Sequence, residues 1–316
     1  MNDAPLYDSV ADGPEGGAAF WLTAADGVRL RVGLWSHDGA QGTVLLLPGR
    51  TEYVEKYGRA AGDLRARGFA TLVIDWRGQG LADRVFDDVM SGHVGHFDEY
   101  QLDFNEMVGF ARAKGLPEPY YLMAHSMGGC IGLRALMNNA STKNAPIKAA
   151  SFSAPMWGIL IAAWMRPMAA ALTSASRWFK FDGRYAPGTG AKTYVLTAPF
   201  NANTLTTDAE MWDYMRQQAL AHPELCLGGP SLGWLKAALT ECHALTLLAS
   251  PAVPAVTALG TQEKIVDTAP IHARMSVWKN GTLDMYPGAE HEVMMERAAT
   301  RGRYFDTAAA LFSKHR

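Results

Sequence analysis

Apolar positions along the chain come in two rhythms. Short unbroken apolar runs, at Thr43–Leu47 and Ala70–Asp75, read as strands covered on both faces of a sheet. Tyr120–Ala124, Lys148–Ser153, Val253–Leu259 and Thr282–Tyr286 read the same way, and Val28–Ser36 alternates as a strand does. Between these runs the apolar residues recur with helical spacing. Tyr53–Gly68 and Asp98–Gly115 each predict a helix stopped by glycine. Met127–Asn139 predicts a third, and the stretch from about 294 to 313 an amphipathic last helix. Strands that alternate with helices predict the α/β class, a doubly wound and mostly parallel sheet.

One region breaks the alternation. From Met156 to Ser250 the chain is rich in Trp, Met and Ala, reads as helical, and offers no convincing strand. Strands resume after it. The pattern predicts a core built from residues 1–155 and 251–316, with 156–250 inserted as a helical cap over the sheet's active edge. Residues 1–17 are polar and glycine-rich and are expected to be a loose lead-in.

Composition narrows the function classes. The formal net charge of −2 over 316 residues gives no basic surface for nucleic acid. Cys130, Cys226 and Cys242 are too few and too scattered for a disulfide framework or a zinc site, as expected of thiols in a reducing compartment. The N-terminus lacks a secretory pattern, and the longest apolar stretch, Met156–Leu172, is interrupted by Arg166 and Pro167. A cytoplasmic protein that touches the inner face of a membrane is expected. Oligomeric state is not readable.

The chemistry centres on Ala124-His125-Ser126-Met127-Gly128-Gly129. A serine nucleophile needs an exposed hydroxyl, a base beside it, and backbone N–H groups facing the developing oxyanion. A sharp turn from a buried strand into a helix supplies the first and the last, and demands small neighbours. Tyr120–Met123 is the strand, Ser126 the apex, and Cys130 starts the body of the helix. His125 is expected to face away from the hydroxyl and to pack or hydrogen-bond, and Cys130 to be a small core residue.

On such sheets the acid and the histidine follow the serine in chain order. His291 stands on the loop leaving the last strand, in Gly288-Ala289-Glu290-His291-Glu292; His272 opens a helical stretch and is the weaker candidate. The loop after Val253–Leu259 offers two carboxylates. Glu263 lies three residues beyond Gly260, whereas Asp267 precedes Thr268 where a helix cap is expected, so Glu263 is preferred. The oxyanion donors are expected from the amides of Met127 and Arg50, with Gly49 allowing close approach of backbone. Two readings of the Arg50 side chain stand side by side, an anchor for an anionic headgroup and an internal pair with Glu52 or another carboxylate. Asp75-Trp76-Arg77-Gly78-Gln79-Gly80 is expected to brace the site through hydrogen bonds.

These segments resemble α/β-hydrolases of the monoglyceride lipase and bacterial lysophospholipase group, also labelled serine aminopeptidase-like. The resemblance rests on Pro48–Tyr57, Gly68-Phe69, Ile74–Gly80, His125–Gly129, Ser153–Met156, Leu227–Pro230 and Gly288–Glu292. Arg50 after Pro48-Gly49, with Arg77-Gly78-Gln79-Gly80, is similar to the lysophospholipase branch in particular. The resemblance implies an α/β-hydrolase fold, with Ser126 as nucleophile, Glu263 in the acid position, His291 as base, and Arg50 and Met127 at the oxyanion positions. Three positions depart from the pattern: Ala124 replaces a glycine, Glu263 an aspartate, and His96 a frequent aspartate.

The reaction expected is hydrolysis of a carboxylic ester of a lysophospholipid or monoacylglycerol through an acyl-enzyme, with no metal or organic cofactor. Met156, Trp157 and Trp164, with Met165 beside them, are expected to line an acyl site; Trp178, Phe179, Trp212, Tyr214, Met215 and Trp234 add apolar surface. The cap is also expected to touch membrane surfaces transiently. The alternatives are a short-chain carboxylesterase or thioesterase, with a peptidase weaker, and, from another class, a non-catalytic binding protein on the same fold.

Overall fold

The computed structural model describes residues 2–139, 147–162, 164 and 166–316. Met165 therefore lies outside the described residues.

Nine strands form one sheet. They are β1 (Asn2–Ala4), β2 (Ala18–Thr23), β3 (Arg29–Trp35), β4 (Thr43–Leu47), β5 (Ala70–Asp75), β6 (Tyr120–His125), β7 (Ile147–Ser153), β8 (Ala255–Gly260) and β9 (Gly281–Tyr286). Their order across the sheet is β1-β2-β3-β5-β4-β6-β7-β8-β9. The first three strands and their junction to β5 are antiparallel, and every pairing from β5 through β9 is parallel. This is the α/β-hydrolase fold, with ligands expected at the carboxyl ends of the parallel strands.

Alternation along the strands sends side chains to two cores. Leu45, Leu47, Leu122 and Ala124 face one, against the helices Glu99–Ala113 and Met127–Asn139. Val44, Leu46, Tyr121 and Met123 face the other, against Gly58–Arg65 and Ala298–Lys314. β4 to β7 are buried almost throughout, which is why they read as unbroken apolar runs.

The lead-in is ordered, contrary to its expected looseness. β1 pairs with β2, and the short helix Asp8–Ala11 packs under the helix Ala209–Ala221, where the Tyr214 hydroxyl donates to the Ala11 carbonyl at 2.7 Å. Its few apolar residues are pinned by partners far along the chain, which local polarity does not reveal.

Between β7 and β8 the described residues contribute no strand to the sheet; the chain runs instead through helices that include Arg166–Trp178, Ala209–Ala221 and Leu232–Thr246. Leu232–Thr246 is fixed to the core by a double ion pair between Arg134 and Glu241, 2.6 and 2.9 Å, and by Cys242 beneath Met156. Among the described residues no helix is long and apolar enough to cross a membrane.

Candidate active site

Ser126 sits where β6 turns into the helix Met127–Asn139, with φ at +48°. That conformation is costly for a residue with a side chain and marks a turn over-determined by its surroundings. The surroundings are tight. A Cβ on Gly128 would lie 2.1 Å from the Leu47 carbonyl oxygen, and one on Gly129 2.5 Å from Pro155. Only glycine lets the helix start this close to β4. Ala124 is wholly buried inside the strand, so its methyl fits without disturbing the turn. Ser126 itself is half-buried and opens onto a cavity.

His291 follows β9 and is buried. Its Nδ1 lies 2.6 Å from Oε2 of Glu263, on the loop after β8. The other oxygen of Glu263 accepts the amides of Ile265 and Val266 at 2.6 and 3.0 Å. Burial acts to raise the Glu263 pKa, but the hydrogen bond and charge of His291, with those two amides, carry it below the usual carboxylate value. Asp267 takes the other role open to it, its side chain capping the helix Thr268–Val277 through the Ala269 amide at 3.1 Å. His272 is exposed on that helix.

The loop after β4 is clamped from three sides. Trp76 Nε1 donates to the Pro48 carbonyl at 2.9 Å, and Gln79 Nε2 to the Gly49 carbonyl at 3.0 Å, while Gln79 Oε1 accepts the Thr51 amide at 3.1 Å. Glu52 accepts the Gly49 amide. The Asp75–Gly80 segment thus braces the loop, as its position after β5 suggests. Among the described residues, the amides of Arg50 and Met127 donate to no protein group.

Beside His291 lies a buried charge cluster that sequence reasoning did not assign. Lys56 Nζ donates to Glu52 Oε1 and to both oxygens of Glu292, each at 2.8 Å. Tyr57 adds a hydrogen bond to Glu52 at 2.5 Å. Burial opposes the charge on Glu52, yet Lys56, His125 and Tyr57 together hold its pKa down to about 2. Glu292 is instead raised, chiefly by burial. The spacing Glu52-x-x-x-Lys56 was a readable signal of an i,i+4 pair; that it would close on Glu292 was not. Glu52, His125 and Glu292 bring ligand atoms within 4.8 Å of one another, but the Lys56 ammonium already bonds both carboxylates. His125 packs at 4.7 Å from the His291 ring and its Nδ1 faces the Ser153 carbonyl at 3.0 Å. Burial depresses its pKa to about 3, so it is neutral.

Ser126 and His291 face a cavity of about 990 Å³. Met156, Ile159, Ile265, Val266, Met215 and Trp234 give it apolar walls. Two expected lining residues are elsewhere. Trp157 is 2% exposed, packs edge-on against Phe152 and at a tilt against Trp278, and donates to the Gly129 carbonyl at 3.1 Å. It supports the nucleophile's helix from the core and does not reach the cavity. Trp164 is 77% exposed and faces outward. Trp178 and Phe179 are exposed as well, whereas Trp212, Tyr214 and Met215 are buried. His96 lies on the surface, its Nε2 3.1 Å from Arg177. All three cysteines are buried and free.

Comparison with known proteins identifies a family, relatives and structures of similar fold. The family described as serine aminopeptidase, S33, matches residues 38–298. Lysophospholipase L2 of Escherichia coli strain K12 is 28% identical over 306 residues, covering 93% of this chain and 87% of that protein. A probable lysophospholipase L2 of Haemophilus influenzae is 27% identical over 260 residues, covering 82% and 79%. Among solved structures, a soluble variant of monoglyceride lipase from Saccharomyces cerevisiae superimposes with a TM-score of 0.71 at 18% identity, covering 94% of each chain.

Proposed function

The chain belongs to the serine aminopeptidase S33 family, within the α/β-hydrolases of the lysophospholipase and monoglyceride lipase group, and on that premise we propose that it hydrolyses the carboxylic ester of a single-chain lipid through an acyl-enzyme on Ser126. The observation that carries this reading is the pairing of Glu263 with His291 at 2.6 Å on the cavity onto which the strained Ser126 opens.

The chemistry runs in two halves. His291 Nε2 takes the Ser126 proton as Oγ attacks the acyl carbon, while Glu263 accepts the Nδ1–H bond and stabilises the imidazolium. The tetrahedral oxyanion is received by the amides of Met127 and Arg50. His291 then protonates the departing alcohol, and afterwards activates water against the acyl-enzyme. The charge cluster at Glu52, Lys56 and Glu292 holds the loop bearing Arg50 against the loop bearing His291.

The cavity's volume and apolar walls support a lipid acyl chain over a short one. Each methylene buried contributes roughly 0.8 kcal/mol, so chain length is the main source of affinity. The segment between β7 and β8 acts as the cap, and its outward Leu160, Trp164, Met168, Trp178 and Phe179 are where it meets a lipid surface transiently. Turnover of 4-nitrophenyl esters of two to sixteen carbons tests this reading. The kcat/KM ratio should climb through the medium and long chains, and a maximum at two carbons would assign a short-chain esterase instead.

A further inference from the structure

Several arginines carry their charge largely away from bulk water, and Arg31, Arg77 and Arg134 have carboxylates to meet it. Arg31 bonds Glu55 and Asp75, each at 2.7 Å; Arg77 bonds Asp103 and Asp26, each at 2.7 Å; Arg134 bonds Glu241 at 2.6 Å. Arg84 and Arg274 rest on backbone carbonyls with no carboxylate in an ion pair among the described residues, and so does Arg50, which alone of these three lines the cavity at Ser126. Glu52, the partner that sequence reasoning offered, is taken by Lys56, Tyr57 and the Gly49 amide.

What surrounds Arg50 holds its guanidinium in place without neutralising it. Nη2 donates to the Gly228 carbonyl at 2.5 Å, the Trp234 ring lies 5.4 Å away, and Nε is buried with no partner. A Cβ on Gly92 would stand 2.8 Å from Nη2, so the neighbouring backbone makes room for the group. Burial lowers the Arg50 pKa to about 10, which still leaves it charged at neutral pH. Arg50 lines the cavity onto which Ser126 and His291 open, and Lys192 lines the same cavity. A guanidinium placed in this way is matched by a group with two or more anionic oxygens.

Resting on the ester-hydrolase reading above, we propose that Arg50 is the anchor for a phosphate on the alcohol side of the ester, so that the preferred substrates are monoacyl glycerophosphates over neutral monoacylglycerols. Its backbone amide serves the oxyanion while its side chain holds the headgroup. One residue then couples the position of the phosphate to the position of the scissile carbonyl. Trp234 and the Gly228 carbonyl keep the guanidinium from swinging away between turnovers.

Binding of two non-hydrolysable ethers with the same chain, 1-alkylglycerol 3-phosphate and 1-alkylglycerol, tests the assignment without turnover. The wild type should bind the phosphate ether roughly tenfold to a hundredfold more tightly, and the preference should shrink as salt is raised. Arg50→Met should abolish the preference and Arg50→Lys restore part of it. Equal affinities in the wild type would overturn the anchor, whatever the variants do, and so would a preference that survives in Arg50→Met. Inorganic phosphate that binds at Arg50 while the two ethers bind equally would assign a free-anion site and likewise overturn it. Ser126-dependent hydrolysis of neutral esters with no phosphate preference sinks the anchor alone; phosphate-selective binding without any ester hydrolysis sinks the hydrolase reading alone.

Discussion

A carboxylate that orients a catalytic histidine has to reach Nδ1 and stay ionised there. Glu263 meets both conditions: it lies 2.6 Å from His291, and the imidazole with two backbone amides keeps its pKa low against the cost of burial. Asp267 is spent on a helix N-terminus. Glu263→Gln should therefore lower kcat by roughly a thousandfold or more, because an amide cannot hold the imidazole tautomer and offset its cation. Asp267→Asn should stay within about twofold, since asparagine caps a helix as well as aspartate does. Steady-state rates on one ester decide between them, and the reverse ranking would move the acid to Asp267. At this scale the sequence was informative where chemistry restricts residue type. Ser126, Glu263 and His291 stand out by kind, by order and by their places after strands. Trp157 and Trp164 do not, because an aromatic beside a cavity, one inside the core and one on the surface carry the same letter.

Elements were legible where one periodicity covered them. β4 to β9 and the helix Met127–Asn139 match their apolar patterns to within one or two residues. The tight glycines of the nucleophile turn also follow from sequence, since a strand that reverses into a helix against β4 leaves no volume for side chains at Gly128 and Gly129. β1 and β2 were missed. β1 is three residues long, and β2 is a short antiparallel strand near the sheet's edge whose pattern is too brief to count. The charge cluster was missed for a different reason. Lys56 and Glu292 are 236 residues apart, and nothing local announces that two loops from opposite ends of the chain will share one ammonium.

At the scale of the whole molecule, the site leaves a mark on stability. His125, the last residue of the nucleophile strand, is held neutral beside that cluster, its pKa pushed by burial to about 3 from an unfolded value of about 6.5. A depressed folded pKa means that the unfolded chain binds the proton first as pH falls. The stabilisation is therefore complete above about pH 6.5 and is lost progressively toward about pH 3, at no more than about 1.4 kcal/mol per pH unit from this one group. His93, also lowered by burial, acts in the same direction. Urea unfolding across this window should show stability falling with acid, and His125→Asn should flatten the slope; an unchanged slope would place the titration elsewhere.

The fold delivers loops from the ends of β4, β6, β8 and β9 to one cavity, and the reaction proposed there requires Ser126 to be the activated group. Mapping the adduct of a fluorophosphonate by peptide mass is the most direct test. A single stoichiometric adduct on Ser126 is expected, lost in Ser126→Ala together with about a thousandfold or greater loss of ester hydrolysis. Stoichiometric labelling of another residue, or wild-type turnover by Ser126→Ala, would contradict the proposed reaction.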